Sequence, residues 1–112
     1  MSQPRPDIDP ASDAAAQPVM IVATVRVHSA MGDKFEAACA RFIPRIRAEN
    51  PGIITYRLGR CQVDADTNRM IECYADRAAM ERHMTSALLR EASAAMQDCI
   101  ARVDVQPRDM MS

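Results

Sequence analysis

Met70-Ile71-Glu72-Cys73-Tyr74-Ala75-Asp76-Arg77-Ala78-Ala79-Met80-Glu81-Arg82-His83-Met84-Thr85-Ser86 decides the fold. Its first half alternates as a strand does, with Met70, Glu72 and Tyr74 on one side and Ile71, Cys73 and Ala75 on the other. Asp76 then fits an N-cap, because its short carboxylate can accept a hydrogen bond from a free amide of a following helix. On that helix the three- and four-residue spacing puts Met80, His83 and Met84 on one face. A strand bearing a carboxylate and a phenol thus turns directly into a helix bearing one of the chain's two histidines. Such a junction suits proton transfer.

Upstream, Met20 to His28 alternates, with Ile21, Ala23, Val25 and Val27 on one face and Thr24 and Arg26 on the other. Ser29 to Gly32 makes a turn in which Gly32 tolerates a positive φ. Asp33, with Glu36 three residues on, resembles a capping box that opens a helix. Phe35, Cys39, Phe42 and Ile46 recur at helical period, Pro44 predicts a kink or restart, and Pro51-Gly52 ends the helix. Ile53 to Val63 reads as a second strand, with Ile54, Tyr56 and Leu58 on one face. Asp64 to Asn68 is a polar turn that makes a hairpin into Arg69 to Ala75.

Downstream, a break near Thr85-Ser86 precedes a helical pattern in Leu88, Leu89, Ala92, Ala95 and Met96, and Ala101 to Val105 alternates as a last strand. The order βαββαβ predicts an α+β, ferredoxin-like domain over 19–107: one antiparallel sheet with helices on one face. Residues 1–18, rich in Pro and Asp, read as a disordered tail, and 108–112 as a loose C-terminus. The sheet's other face is apolar enough, through Ile71 and Cys73, to ask for a cover, and a second copy of the chain is the simplest one.

Composition excludes several functions. At 112 residues the chain is one domain. A net charge of -1 with no basic block argues against nucleic acid, as does a third strand without the Gly-rich aromatic motif of RNA-binding domains. No apolar run reaches membrane-spanning length, and the N-terminus lacks a secretory pattern, so a cytoplasmic protein is expected. Cys39, Cys61, Cys73 and Cys99 are widely spaced and read as reduced, packed thiols. Neither they nor the histidines show metal spacing. Asp64 to Asn68 begins like a calcium loop but has Arg69 at the sixth position and Ala75 at the twelfth, so no metal is expected there.

Taken in order, Ile21 to Val27, the Met31-Gly32 turn, Glu49-Asn50-Pro51-Gly52 leading into Tyr56, Ile71 to Asp76, and Ala79 to Ser86 resemble the antibiotic biosynthesis monooxygenase domain. Pro44 fits its quinol monooxygenase branch. The resemblance covers residues 19 to 106 and implies a homodimeric α+β barrel with a pocket in each subunit between sheet and helices. It also implies oxidation of a small electron-rich aromatic, such as a quinol, by molecular oxygen without metal or flavin. Haem-degrading relatives use an Asn in the first strand and a Trp where this chain has Tyr74; both are missing here.

On that resemblance His83 is the candidate general base, with an ordinary pKa near neutrality, and Glu72 orients it. Tyr56, Tyr74, Phe42, Met80 and Met84 would contact substrate. Each also has a purely structural reading: His83 pinning its helix, Glu72 bonded to a backbone amide or an arginine, and the aromatics and methionines packing. Other readings of the same scaffold are a non-catalytic small-ligand-binding dimer and an isomerase of a small phosphorylated metabolite, with Arg26 or Arg57 as the phosphate site. His28 reads as a surface residue, and Arg26 and Arg57 otherwise as partners in exposed ion pairs.

Overall fold

The computed structural model describes residues 17–109. Seven elements follow one another: β1 (Val19–Val27), α1 (Gly32–Glu49), β2 (Ile53–Arg60), β3 (Thr67–Tyr74), α2 (Arg77–Met84), α3 (Ala87–Met96) and β4 (Ile100–Asp109). The strands form one sheet in the order β2-β3-β1-β4, every neighbouring pair antiparallel. This is the ferredoxin-like α+β arrangement, with the second helical segment divided into α2 and α3.

β1 is central, and its alternation holds residue by residue: Ile21, Ala23, Val25 and Val27 are all buried beneath the helices. They join Phe35, Cys39, Phe42 and Ile46 of α1 and Leu88 and Ala92 of α3 in the main core. On β3 the same face carries Asn68, Met70, Glu72 and Tyr74. Apolar neighbours exclude water there, so every polar atom on that face needs a protein partner.

Several local expectations change. β2 stops at Arg60, and Val63 is exposed in the turn that follows. Ile54 does not share a face with Tyr56. Ile53 pairs with Tyr74 and Thr55 with Cys73, so β2 carries one extra residue at this point. That bulge turns Ile53 to the core and leaves Ile54 exposed, a shift that strict alternation cannot anticipate.

No capping box forms at Asp33. Met31 occupies the N-cap without a side-chain bond, and Glu36 instead pairs with Arg60 across to β2. The positive φ in the turn belongs to Ala30, at 69°, and not to Gly32. α1 also runs unbroken through Pro44. Pro44 and Ala40 both face solvent, where the carbonyl that loses its donor can be hydrated. β4 continues through Asp109, so Arg108 belongs to the sheet and not to a loose end. Residues 1–16 and 110–112, the bulk of the expected tails, lie outside the described residues. No helix among the described residues is long and apolar enough to cross a membrane.

Candidate functional site

Two sharp connections carry His83 to the sheet. At the first, Ala79 N–H donates to the Asp76 carboxylate at 2.8 Å, so α2 starts two residues after β3 ends. At the second, the Ser86 N–H and hydroxyl both donate to the His83 carbonyl, at 3.1 and 2.8 Å, while the Ser86 oxygen accepts from Leu89 N–H and caps α3. The backbone at His83 is therefore held from both ends.

The turn between α1 and β2 fixes α2 laterally. Asn50 is buried; its amide donates to the Ala79 carbonyl at 2.8 Å and accepts from Gly52 N–H at 3.0 Å. Gly52 lies so close that a Cβ there would collide with the Ala79 Cβ. Its φ is negative, so glycine is required here by contact and not by backbone conformation.

On the sheet, register sets the neighbours. Glu72 lies between Ile21 of β1 and Tyr56 of β2 in the ladder, and Tyr74 is two residues along on the same face. His83, only 4% exposed, sits above this row. Its Nε2 is 3.1 Å from the Tyr56 hydroxyl, with the rings edge-on and 5.1 Å apart; Tyr74 lies tilted at 6.0 Å. The Tyr74 hydroxyl donates to Glu72. Glu72 was expected to orient His83, but its bond is to Tyr74, and Tyr56 holds the imidazole instead.

Burial drives the electrostatics. It lowers the His83 pKa below its ordinary 6.5, so the ring is neutral at neutral pH. It raises the Glu72 carboxyl, although the Tyr74 hydrogen bond opposes the rise. It also raises both phenols, reinforced in each by the charge of Glu72, so Tyr56 and Tyr74 remain un-ionised. Tyr56 and His83 are thus two neutral groups sharing one hydrogen-bonding proton, in either tautomer. A neutral buried imidazole beside un-ionised phenols can accept a proton from a ligand and return it. Shifted groups gathered in one place are also a general mark of functional sites.

Beside His83 opens a hollow of about 340 Å³, between the C-terminal end of α1 and the α2–α3 connection. Ile46 and Leu88 give it an apolar floor, and Glu49, Asn50, Arg82 and Ser86 a polar rim. Sequence reasoning passed over these rim residues; Asn50, preceding Pro51-Gly52, was the one with a readable signal.

The other expected contacts are dispersed. Phe42 belongs to the core, with the Arg41 and Arg45 guanidinium groups over its ring at 4.9 and 5.3 Å. Met80 packs on the small cluster of Ile21, Tyr74 and Ala79. Met84 is 42% exposed and lines a separate depression with Leu89 and Ile100, so it does not share the His83 face. Arg26 forms a surface ion pair with Asp64 at 3.0 Å, and Arg57 and His28 are exposed. No group of three or more His, Cys, Asp or Glu that could hold a metal occurs among the described residues.

The antibiotic biosynthesis monooxygenase family model matches residues 18–95. The chain belongs to that family. No curated protein matches the sequence. Among solved structures, a candidate antibiotic biosynthesis monooxygenase from Caulobacter crescentus superimposes with a TM-score of 0.83 at 23% identity, covering 91% of this chain and 97% of its own. SnoaB, a cofactor-independent oxygenase from Streptomyces nogalater, solved in a mutant form, gives 0.75 at 21% identity, with 87% and 96% covered. A conserved protein from Methanosarcina mazei gives 0.76 at 16%, with 87% and 96% covered. At these identities the likeness establishes the shared fold of this family member and leaves its chemistry to its own residues.

Proposed function

We propose that this antibiotic biosynthesis monooxygenase family member oxidises a quinol or related electron-rich phenol with molecular oxygen, using no cofactor. The observation that carries the reading is the neutral, buried His83, bonded to Tyr56 and forming part of the wall of a ligand-sized hollow. A hydroquinone that gives a phenolic proton to His83 becomes a phenolate, which is itself the reductant. It passes electrons to oxygen, a C–O bond forms on the ring, and the second oxygen atom leaves as water. Hydroquinone and oxygen thus give hydroxyquinone and water, with all four electrons from the substrate. The protein's tasks are to take the proton, hold the ring and keep bulk water out. Burial keeps the imidazole neutral, Tyr56 orients it, and the Tyr74–Glu72 pair furnishes the polar ground beneath it.

The working form in this reading is a homodimer. Met20, Val22 and Ile71 are only half-buried on the sheet face away from the helices. A second copy would cover this apolar surface. Four free thiols suit the reducing cytoplasm. The decisive experiment is oxygen uptake by metal-stripped protein over a panel of quinols, beside His83→Ala and a no-protein control. Uptake above the control that disappears in the variant supports the reading. Ligand turnover without oxygen consumption would favour an isomerase on the same scaffold.

A further inference from the structure

The rim of the His83 hollow carries a charge that the oxygen chemistry does not use. Arg26, Arg45, Arg60 and Arg102 each have a carboxylate partner in a salt bridge. Arg82 lines the hollow and has no carboxylate within 4.0 Å among the described residues. Its guanidinium lies against the Gly52 turn, with Nη2 only 3.2 Å from where a Cβ on Gly52 would sit. The cation is therefore parked at the rim on the residue next to His83. Glu49, also on the rim, places a negative group in the same hollow.

Size adds a second constraint. About 340 Å³ is at the small end of the range for ligand sites and is ample for a small substituted aromatic. A planar guanidinium matches a carboxylate through paired N–H donors, and it keeps its charge at every working pH. Glu49 repels the same group, so an anionic ring has one favoured orientation, with its carboxylate at Arg82.

We infer that the substrate is a small quinol bearing an anionic substituent, which Arg82 binds while a phenolic hydroxyl meets His83. This rests on the quinol reading above and narrows it. Arg82 is the specificity-determining residue, and Glu49 sets polarity by exclusion.

The test is binding of 2,5-dihydroxybenzoate, hydroquinone and methylhydroquinone to the full chain by calorimetry under argon. Histidine NMR locates the site, since the only other histidine, His28, is exposed. The dihydroxybenzoate should bind about tenfold more tightly than either neutral quinol. Arg82→Gln should bring it down to the neutral compounds' affinity, and Glu49→Gln should tighten it further. Each variant's thermal melt checks that it is folded. Equal affinities for the three compounds, or an Arg82→Gln protein that keeps the preference, overturns the assignment. Because oxygen is absent, a preference for the acid without later oxygen uptake would refute the monooxygenase reading alone. Uptake with neutral quinols and no preference for the acid would refute this inference alone.

Discussion

Gly52→Ala probes whether the α1–β2 turn sets the position of His83. The new methyl would fall about 1 Å inside ordinary carbon–carbon contact with the Ala79 Cβ, which has no rotamer to swing away. Relief requires α2 to move off the turn by a similar distance. Overpacking of this kind costs about 1–3 kcal/mol, and the Asn50–Ala79 hydrogen bond lost with it about 0.5–1.5. The unfolded chain loses some freedom, which returns about 0.4–1. The expected net loss is therefore about 2 kcal/mol, or roughly 10 °C in Tm. A 1 Å shift of α2 also stretches the 3.1 Å Tyr56–His83 bond past its useful range, so turnover should fall about 100-fold.

Gly59→Ala is the internal control. Nothing lies within 4 Å of a Cβ there, so it should hold or gain about 0.5 kcal/mol. Urea titration at constant m and the His83 NMR signals read both variants. A Gly52→Ala protein as stable as Gly59→Ala, with unmoved His83 signals, would refute the reasoning.

Four further outcomes follow from the same geometry. Tyr56→Phe strips the partner from a buried imidazole and should cost about 1–3 kcal/mol in urea titration; a loss no larger than a few tenths would mean another group holds His83. His83 prefers its neutral form in the fold, so the unfolded chain takes up the proton first as the pH falls below 6.5. Stability should drop through that window and level off once the folded ring also protonates, and the acid limb of turnover should lie below pH 6.5; a limb above it contradicts the burial argument. Glu72, with its pKa raised, contributes the opposite slope above its ordinary 4.5, so Glu72→Gln should flatten that segment of the stability curve. Asn68 is fully buried on β3 with neither amide atom partnered among the described residues, so Asn68→Leu should raise stability by about 1–3 kcal/mol; destabilisation would show that the amide has a partner after all.

The sequence by itself determined the order of elements, the buried face of β1, the cap at Asp76, the break near Thr85-Ser86, and the family. Each of these is local or periodic: a strand repeats every two residues, a helix every three or four, and a cap acts within three. Asn68 was read as part of the polar turn, and only the structure places it inside β3, fully buried.

Only tertiary structure decided how the candidate site is wired. Tyr56 and His83 are 27 residues apart, and their meeting depends on the β2–β3 register that sets Tyr56 beside Glu72; the extra residue in β2 reverses the facing at Ile53 and Ile54. Period-two reasoning has no term for a bulge. Glu72 and His83 look like partners along the chain, yet cross-strand register and the nearer Tyr74 hydroxyl give the carboxylate another bond. Phe42 fits a ligand contact and a core residue equally well by spacing, and the helix packing above it made it core. The need for glycine at position 52 was invisible for the same reason: the atom that forbids a side chain belongs to Ala79, 27 residues away in sequence, and only the fold brings it there.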